Sequence, residues 1–289
     1  MAGGEGVRFK PLSTPQRPKQ FINIIGAKSL IRQTFERVSS FGEGNKFDNF
    51  FVGTNARYID LVRKEIPEIP LENIIGETAK KNTAPCIGFA AHLISMKDPD
   101  AVMICLPSDH VIFNQELFLS TLRTAINVAI RDKKLVTLGI TPNSASTEYG
   151  YIEKGTTEYS VKRFVEKPDE ARATQYAASG NYFWNSGMFV WQARTILDEM
   201  AQHVPELYNE ISRLGRNVGM PEMINFFQNV PSISIDYGVM ERSANVAVVP
   251  GDFGWSDVGT WKSLKELAQS GRIELREEVR QVMEEQLRC

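Results

Sequence analysis

The segment AVMICLPSDH, residues 101–110, decides the fold class. It begins with a continuous apolar run, Ala101 to Leu106, of the kind that forms a strand buried on both faces of a sheet. Polar residues follow at once, beginning with Pro107 and Ser108. In α/β proteins, where helices cover both faces of the sheet, ligands bind beyond the carboxyl ends of the strands. The segment therefore predicts an α/β fold with a binding site near Asp109.

Helical and strand patterns alternate on both sides of this segment. Helical spacing of apolar residues covers 28–39, 56–66, 84–96, 117–130, 169–179 and 193–200, and apolar runs typical of strands cover 50–52, 135–140, 161–165, 182–191 and 246–249. This order predicts a doubly wound, mostly parallel sheet. Asn82 and Thr83 precede the helix at 84–96 and are suited to its cap.

Length and composition exclude several classes of protein. A chain of 289 residues with 42% hydrophobic content predicts one large domain or two ordinary ones with a sizeable core. A net charge of -2 gives no general attraction to nucleic acid or to an anionic membrane, and no signal peptide or membrane span is visible. The cysteines Cys86, Cys105 and Cys289 show no metal-ligand spacing, and their odd number favours a reducing cytoplasm.

The amino-terminal segment is suited to binding a phosphate chain. Gly3, Gly4 and Gly6 lack the Cβ atom that would keep the backbone away from phosphate oxygens. Two cations, Arg8 and Lys19, follow them at positions from which they can face those oxygens. For the glycines alone, a disordered terminus is the alternative interpretation.

Few residues precede this glycine-rich loop. A phosphate-binding loop normally follows a β-strand that aims it at the ligand, but only Met1 and Ala2 come before Gly3. We therefore expect the first strand of the sheet to be missing from the chain, or the sheet to be completed in another way. Loss of a central strand would remove many ladder hydrogen bonds.

Two carboxylates in separate segments are candidates for a metal site. Asp109 follows the strand at 101–106, and Asp257 lies in GWSDVGTW at 254–261. Magnesium takes few carboxylates together with phosphate oxygens, so both side chains can bind one Mg²⁺ ion. For each aspartate a turn or helix cap is the simpler interpretation, and Asp252 is a competing ligand. We expect His110 to orient the loop rather than to act as a base.

Further segments are candidates for a second substrate. Lys167 follows Glu166 at the end of the strand at 161–165, and Pro168 stops the strand, so the lysine can meet a phosphate or simply lie in a surface turn. Gly150, between aromatic residues, lets backbone approach a ligand. Asn185 lies inside an apolar strand and needs a hydrogen-bond partner, either a sugar hydroxyl or a neighbouring loop.

A polar loop that begins at Glu77 precedes the helix at 84–96. A carboxylate accepts hydrogen bonds, so Glu77 can pair with the N1–H and the amino group of guanine, a donor pattern that adenine lacks. The alternative is surface charge followed by a helix cap.

Eight motifs, in order along the chain, carry a resemblance to a known family. They are Gly3–Arg8 with Pro11–Ser13, Pro18–Phe21, Asn82–Pro85, Pro107–His110, Glu166–Pro168, Asn185–Met188, Ser234–Tyr237 with Val239–Glu241, and Trp255–Gly259. From residue 2 to about residue 268, the sequence resembles the sugar-phosphate nucleotidyltransferases and, among them, the mannose-1-phosphate guanylyltransferases.

The resemblance implies a Rossmann-like three-layer nucleotidyltransferase fold with a mixed, mostly parallel sheet. It implies an enzyme that uses Mg²⁺ to transfer GMP from GTP to mannose 1-phosphate, giving GDP-mannose and pyrophosphate. The partners of such an enzyme would be these substrates, and neither nucleic acid nor a membrane would be involved. It would work in the cytoplasm, and the resemblance is compatible with a homodimer. A non-catalytic sugar-nucleotide-binding or regulatory homologue and a nucleotidyltransferase for another hexose 1-phosphate are the alternatives.

The resemblance also implies roles for the candidate residues. Arg8, Lys19 and Lys167 would be catalytic, and Asp109 and Asp257 would hold Mg²⁺. The residues implied to bind the nucleotide are Gly3, Gly4, Gly6, Glu77, Asn82, Thr83, Pro107 and Ser108. Those implied to bind the sugar phosphate are Gly150, Glu166, Lys167, Asn185 and Asp236, with a helix cap or a buried ion pair as the alternative for Asp236.

We expect the nucleotidyltransferase domain to span residues 1–271. Residues 272–289 are largely charged and carry Leu275, Val279, Val282 and Leu287 on one side, which predicts an amphipathic helical tail. Packing of this tail on the body is one interpretation, and a partner-binding or dimerising helix is the other. The family commonly continues into a β-rich domain that this segment is too short to form.

Overall fold

Helices and strands alternate in a computed structural model, which describes residues 1–41, 47–216 and 218–288. The strands are β1 (Val52–Asn55), β2 (Ile74–Glu77), β3 (Val102–Cys105), β4 (Val111–Ile112), β5 (Leu135–Ile140), β6 (Tyr151–Lys154), β7 (Val161–Val165), β8 (Tyr182–Gln192), β9 (Val246–Pro250) and β10 (Trp255–Ser256). The helices are α1 (Leu30–Val38), α2 (Ile59–Glu65), α3 (Thr83–Ser95), α4 (Gln115–Asp132), α5 (Glu170–Ser179), α6 (Ala193–His203), α7 (Pro205–Ser212), α8 (Met220–Asn229), α9 (Trp261–Gln269) and α10 (Glu277–Gln286). Cys289 lies outside the described residues.

Several predicted boundaries agree with these elements. The side chain of Asn82 accepts a hydrogen bond from the N–H of Thr83, where α3 begins, so the predicted cap is confirmed. The helix predicted at 28–39 is shorter, because Ser29 caps α1 from outside. Among the residues that the structure describes, no helix is at once long enough and apolar enough to cross a membrane.

The described residues fall into two compact units. The first contains Met1–Glu77, Pro107–Gln115 and the segment from Gly254 onward, and the second contains Thr78–Leu106 and Glu116–Phe253. The expected boundary between a domain at 1–271 and a tail at 272–289 is a different division of the chain, and it stays a prediction.

A six-stranded sheet forms the framework of the second unit. Its strand order is β7-β6-β8-β5-β9, and β3 pairs with β8 beside this path. Because β8 is eleven residues long, it reaches three neighbouring strands. Its Val190 pairs with Ile104 of β3 and with Val136 of β5, while Trp184 pairs with Tyr151 of β6.

The α/β class is confirmed, but the directions of the strands correct the expectation of a mostly parallel sheet. β8 runs antiparallel to β3, β5 and β6, and β6 runs antiparallel to β7. Among the described strands, parallel pairing joins β5 to β9 and, in the first unit, β1 to β2. An apolar run predicts a buried strand but not its direction, because direction depends on the connection that brings the strand to the sheet.

Two hydrophobic clusters support the first unit. One contains Phe21 and Tyr58 and lies around β1 and β2. The other contains Phe9 and Trp261 and includes residues of α10. Burial of large apolar side chains is the main stabilising term in folding, so the two clusters fix the loops that leave them.

The carboxyl-terminal helix packs into the second of these clusters. Leu275, Val279 and Met283 are buried there, and Val282 is partly buried against it. Leu287, just past the end of α10, is 38% exposed, and its place on the apolar side stays a prediction. Residues four apart share a helix face, which explains why Val279 and Met283 enter the cluster together.

The residues ahead of the glycines are bonded to β1. The N–H of Ala2 donates to the carbonyl of Gly53 at 2.6 Å. The carbonyl of Ala2 accepts from the hydroxyl of Thr54 at 3.0 Å and from the side-chain amide of Gln20 at 2.7 Å. These hydrogen bonds fix the direction in which the backbone enters the glycine-rich loop.

Candidate active site

The glycine-rich loop has a conformation that requires glycine. Gly6 has a φ of +56°, and a Cβ atom built on it would overlap the backbone nitrogen of Lys19 and lie 2.9 Å from the Lys19 Cβ. The Gln20 side chain donates to the carbonyl of Gly4 at 2.8 Å as well as to that of Ala2. The loop is therefore held directly against Lys19.

Arg8, Lys19, Asp109 and Asp257 come together beside this loop, and we call them the phosphate-loop cluster. The Lys19 ammonium donates to a carboxylate oxygen of Asp109 at 3.1 Å and to the backbone carbonyl of Asp257 at 2.5 Å. A Cβ atom built on Gly259 would lie 2.7 Å from the Asp257 carboxylate and 3.5 Å from the Arg8 guanidinium. The structure therefore brings together segments that are far apart in the sequence.

Lys19 also controls the charge of Asp109. The Lys19 side chain is only 7% exposed, and that of Asp109 is 36% exposed. Burial by itself would raise the pKa of the Asp109 carboxyl, but the nearby Lys19 ammonium holds that pKa below its ordinary value. Asp109 is thus an anion at neutral pH, the form that binds a cation.

His110 links the segments that carry the two aspartates. Its Nδ1 lies 3.1 Å from the indole nitrogen of Trp255, which can only donate, so the neutral ring carries its proton on Nε2. Burial lowers the pKa of His110 and outweighs the opposing effect of Asp109. The bond supports the expectation that His110 orients the loop.

The donor set of the phosphate-loop cluster fits magnesium bound together with a substrate. Within the described parts of the chain, no group of three or more histidine, cysteine or acidic side chains could hold a metal by itself. Magnesium usually keeps waters and takes one or two carboxylates plus substrate phosphate oxygens. Asp109 and Asp257 match this requirement in number and in chemistry.

The remaining nucleotide candidates of the first unit lie near the same loop or at strand ends. A Cβ atom built on Gly3 would lie 3.0 Å from a carboxylate oxygen of Glu77, the last residue of β2. Ser108, which follows Pro107, is buried, and its N–H donates to the carbonyl of Met1 at 3.1 Å. Glu77 and Ser108 are therefore placed by the backbone that flanks the glycines.

Asn82 and Thr83 belong to the second unit. The Thr83 hydroxyl accepts from the N–H of Ile235 at 2.8 Å, and the Lys81 ammonium donates to the carbonyl of Val230 at 2.8 Å. The loop that caps α3 is thereby fastened to the segment that leads to Asp236.

Gly150, Glu166, Lys167, Asn185 and Asp236 are also brought together, and we call them the Glu166 cluster. Lys167 donates to one Glu166 oxygen at 2.9 Å, and the Asn185 amide donates to Asp236 at 2.8 Å. The backbone N–H of Asn185 donates to the Gly150 carbonyl at 2.8 Å. A Cβ atom on Gly150 would overlap the second Glu166 oxygen, so any other residue there would make the Glu166 side chain shift.

Glu166 contributes an acceptor that the protein does not use. Its side chain is only 7% exposed, and its Oε2 atom is buried with no hydrogen-bond partner among the described residues. A buried carboxylate oxygen without a partner is costly, and such atoms are rare in folded proteins. A donor on a bound molecule would relieve this cost.

The charges of the Glu166 cluster affect one another. Burial, together with the Glu166 carboxylate, raises the pKa of Asp236 from 3.8 to about 6, although Asn185 and Lys167 oppose the shift. Burial would lower the pKa of Lys167, but its hydrogen bond to Glu166 raises it above the ordinary value. Near neutral pH the cluster therefore holds the Asp236 anion and the Lys167 cation.

We expect Asp236→Asn to stabilise the protein in a pH-dependent way. The raised pKa means that the native chain binds a proton more tightly than the unfolded chain, so stability falls as the pH rises from 3.8 to about 6. Removing the charge should add on the order of 2 kcal/mol to the free energy of unfolding near pH 8, and little near pH 4. Denaturant unfolding at both pH values measures this difference.

Asp198→Asn is the control for this prediction, because Asp198 is an exposed carboxylate of α6 in the same unit. It should leave the free energy of unfolding nearly unchanged at both pH values. If Asp236→Asn gave equal gains near pH 4 and near pH 8, the buried charge would not be the cause.

Three residues near these clusters were not predicted from the sequence. Gln20 bonds the glycine-rich loop, Thr137 contacts the Asn185 amide, and Glu241 accepts from the backbone N–H of Glu166 at 3.2 Å. Gln20 and Glu241 lie within quoted motifs, which is a signal that could have identified them. Thr137 is the polar residue of an apolar strand, and that contrast is the only sequence signal it has.

Comparison with known proteins finds one family whose model covers most of the chain. The nucleotidyl transferase family model matches residues 1–272. A mannose-1-phosphate guanylyltransferase of Sinorhizobium fredii is 38% identical over 279 residues, which are 91% of this chain and 53% of that relative. The chain thus spans about half the length of this curated relative.

Solved structures with a similar fold include proteins whose names also refer to mannose phosphates. A protein of Thermus thermophilus, described as a mannose-1-phosphate geranyltransferase, matches with a TM-score of 0.83 and 31% identity, over 93% of this chain and 77% of that one. A protein of Helicobacter pylori, described as a mannose-6-phosphate isomerase, matches with a TM-score of 0.71 and 31% identity, over 83% of this chain and 95% of that one. Together with the family match, these likenesses confirm the predicted nucleotidyltransferase fold.

Proposed function

Because this chain belongs to the nucleotidyl transferase family, we propose that it transfers GMP from GTP to mannose 1-phosphate, giving GDP-mannose and pyrophosphate. Relatives named mannose-1-phosphate guanylyltransferase support the choice of substrates. The observation that carries the proposal is the position of Lys19, whose buried ammonium contacts the Asp109 carboxylate and the Asp257 backbone beside the glycine-rich loop.

The proposed chemistry depends on charge and position. A phosphate oxygen of mannose 1-phosphate attacks the α-phosphorus of GTP in line, and pyrophosphate leaves. Such a transfer needs aligned substrates and neutralised phosphate charge more than a covalent intermediate. Arg8 and Lys19 would stabilise the triphosphate and the leaving pyrophosphate. Mg²⁺ held by Asp109 and Asp257 would supply further positive charge at the phosphate oxygens.

The glycine-rich loop and the strand ends would bind the nucleotide. Gly3, Gly4 and Gly6 would admit the phosphates close to the backbone, next to Pro107 and Ser108. A carboxylate accepts from two donors at once, so Glu77 would recognise the N1–H and amino group of guanine. The proposal places Asn82 and Thr83 on the guanine side as well.

The Glu166 cluster would bind the sugar phosphate. Lys167, which is 53% exposed, would neutralise the phosphate. The unpartnered Oε2 of Glu166 would accept a hydrogen bond from a sugar hydroxyl, and Asn185 and Asp236 would line the same pocket. Gly150 has no side chain, so it would leave room for the sugar.

The proposal includes a cytoplasmic location, because both substrates are multiply charged phosphates that do not cross a bilayer unaided. A homodimer stays a prediction. The chemistry requires no nucleic acid and no membrane as a partner.

Pyrophosphate release is the test of this function. The protein is incubated with GTP, mannose 1-phosphate and Mg²⁺, and both pyrophosphate and GDP-mannose are measured. We expect both products with GTP, little product with ATP, CTP or UTP, and none after chelation of the metal with EDTA. Glucose 1-phosphate in place of mannose 1-phosphate measures the selectivity for the hexose.

Two outcomes would contradict the proposal. Well-folded protein that binds GDP-mannose in calorimetry without any turnover would be a non-catalytic binding homologue. Faster turnover with another nucleotide or another hexose 1-phosphate would keep the nucleotidyltransferase chemistry and change the substrate. Asp257→Asn serves as the inactive comparison, because it removes one of the charges proposed to hold the metal.

A further inference from the structure

β8 carries an irregularity directly after Asn185. Thr137 of β5 pairs with Phe189, whereas Gly139 pairs with Asn185, so Leu138 alone spans residues 186–188 of β8. Gly187, at the centre of this bulge, has a φ of +69°. A bulge bends its strand and re-aims the side chains beside it, and bulges are frequent next to active sites.

At this bulge, side-chain hydrogen bonds replace the regular backbone pairing between the strands. The Ser186 hydroxyl donates to the carbonyl of Leu138 at 2.7 Å. The Thr137 hydroxyl lies 2.9 Å from Asn185 Oδ1 and 3.2 Å from the carbonyl of Met188. Thr137 is fully buried in an otherwise apolar strand, so its hydroxyl depends on these two acceptors.

The contacts of Asn185 fix the orientation of its amide. Asn185 Oδ1 lies 2.9 Å from the Thr137 hydroxyl and 3.1 Å from the N–H of Gly187. A backbone N–H can only donate, so the amide oxygen faces that side, and the shorter distance assigns the Thr137 proton to the same oxygen. The amide nitrogen therefore faces Asp236 and donates to it at 2.8 Å.

We propose that Thr137 is a positioning residue for the sugar phosphate, acting through Asn185. Its hydroxyl keeps the Asn185 amide oxygen turned toward β5, so the amide nitrogen faces Asp236. The Glu166 cluster then offers the sugar phosphate a fixed pattern, with an N–H donor from Asn185 and acceptors from Glu166 and Asp236. Without this hydroxyl, one hydrogen bond of the amide oxygen is lost and the amide can turn. In the turned orientation its oxygen would face the Asp236 carboxylate, which is unfavourable. This inference rests on the proposed function.

Thr137→Val is the first test, because it replaces the hydroxyl by a methyl group of similar size. We expect the KM for mannose 1-phosphate to rise about tenfold, the effect of removing one hydrogen bond in a buried network. The KM for GTP should stay the same, and Thr137→Ser, which keeps the hydroxyl, should stay within about twofold of wild type. Thr137→Ala removes the hydroxyl as well and replaces the valine variant if that variant does not fold.

Thr121→Val is the matched control. Thr121 is a buried threonine of α4 in the same unit, and its hydroxyl donates to the carbonyl of Leu117 in its own helix, at 2.8 Å. It should leave both KM values unchanged. A purely structural role of Thr137 would lower the melting temperature and leave the ratio of the two KM values as in wild type, which would overturn the inference.

A titration that needs no turnover separates this inference from the proposed function. The side-chain carbon signal of Asp236 is followed against pH by NMR in the wild-type, Thr137→Val and Thr121→Val proteins. The other charged groups facing Asp236 are Glu166 and Lys167, and Glu241 bonds to the Glu166 backbone. Because the Asn185 donor favours the Asp236 anion, its loss should raise the Asp236 midpoint in Thr137→Val alone.

The two measurements have distinct outcomes. An unchanged Asp236 midpoint in folded Thr137→Val or Thr137→Ala would overturn the inference, whatever the activity of the wild type. If the Asp236 midpoint is raised in Thr137→Val and the wild-type protein shows no turnover, the positioning role of Thr137 is supported and the proposed function is contradicted.

Discussion

Lys19→Ala is expected to lower kcat/KM for GDP-mannose formation by about a hundredfold or more, the scale seen when a charge-stabilising group is removed from an active site. The substitution removes a buried cation and also leaves the Asp109 carboxylate without its partner at 3.1 Å. An unpaired, partly buried carboxylate is unfavourable, so the loop that carries Asp109 should also become less well ordered. Steady-state kinetics of pyrophosphate release measure the effect.

Lys28→Ala is the matched control for this change. Lys28 lies in the same unit, but it is 57% exposed and its ion pair with Glu36 is at the surface. Exposed ion pairs contribute little, so we expect kcat/KM to stay within about twofold of wild type. Near-normal turnover in folded Lys19→Ala would mean that Lys19 has a structural role and that the catalytic role belongs to another residue.

Gly6→Ala is expected to reduce turnover by a similar or larger factor, although it changes no charge. The added methyl group would overlap the Lys19 backbone nitrogen, so either the loop or Lys19 has to move. Displacement of about 1 Å at a charge-stabilising group is enough to cost about a hundredfold in rate. Kinetics and the melting temperature, measured on the same preparation, show whether the loss is local.

Two glycine controls separate overlap from backbone strain. Gly26 has a φ of +69°, but a Cβ atom built there has no atom within 4 Å, so Gly26→Ala carries the strain without the overlap. Gly215→Ala, outside the proposed site, carries neither, because Gly215 has no positive φ and a Cβ atom built there would meet nothing within 4 Å. If Gly26→Ala lost as much activity as Gly6→Ala, strain alone would explain the result and the contact with Lys19 would not.

Much of the candidate site could be predicted because its chemistry is local in the sequence. The glycines before Arg8, the polar residues after β3 and the Glu166-Lys167-Pro168 segment each show their chemistry within a few residues. The fold class was predictable for a similar reason, since apolar runs and helical spacing are properties of short windows. The cap formed by Asn82 is another local feature that the structure confirms.

Other features depend on partners that are distant in the chain. Thr137 is one polar residue in a buried strand, and its importance follows from its contact with Asn185, 48 residues away. Met283 was not among the apolar residues predicted for the tail helix, and its burial follows from the cluster that α10 joins with Phe9 and Trp261. No short window of sequence contains these pairs.

By itself, the sequence determined the α/β class, the glycine-rich composition of the loop ahead of Arg8 and Lys19, and the kinds of charged group available to a phosphate substrate. Only the tertiary structure decided the antiparallel course of β8 and the bulge after Asn185. It alone decided the contacts of Lys19 with Asp109 and Asp257, which lie 90 and 238 residues away. The physical reason is that backbone conformation and hydrophobic periodicity act over a few residues. Strand direction, burial and pKa arise from atoms that only folding brings into contact.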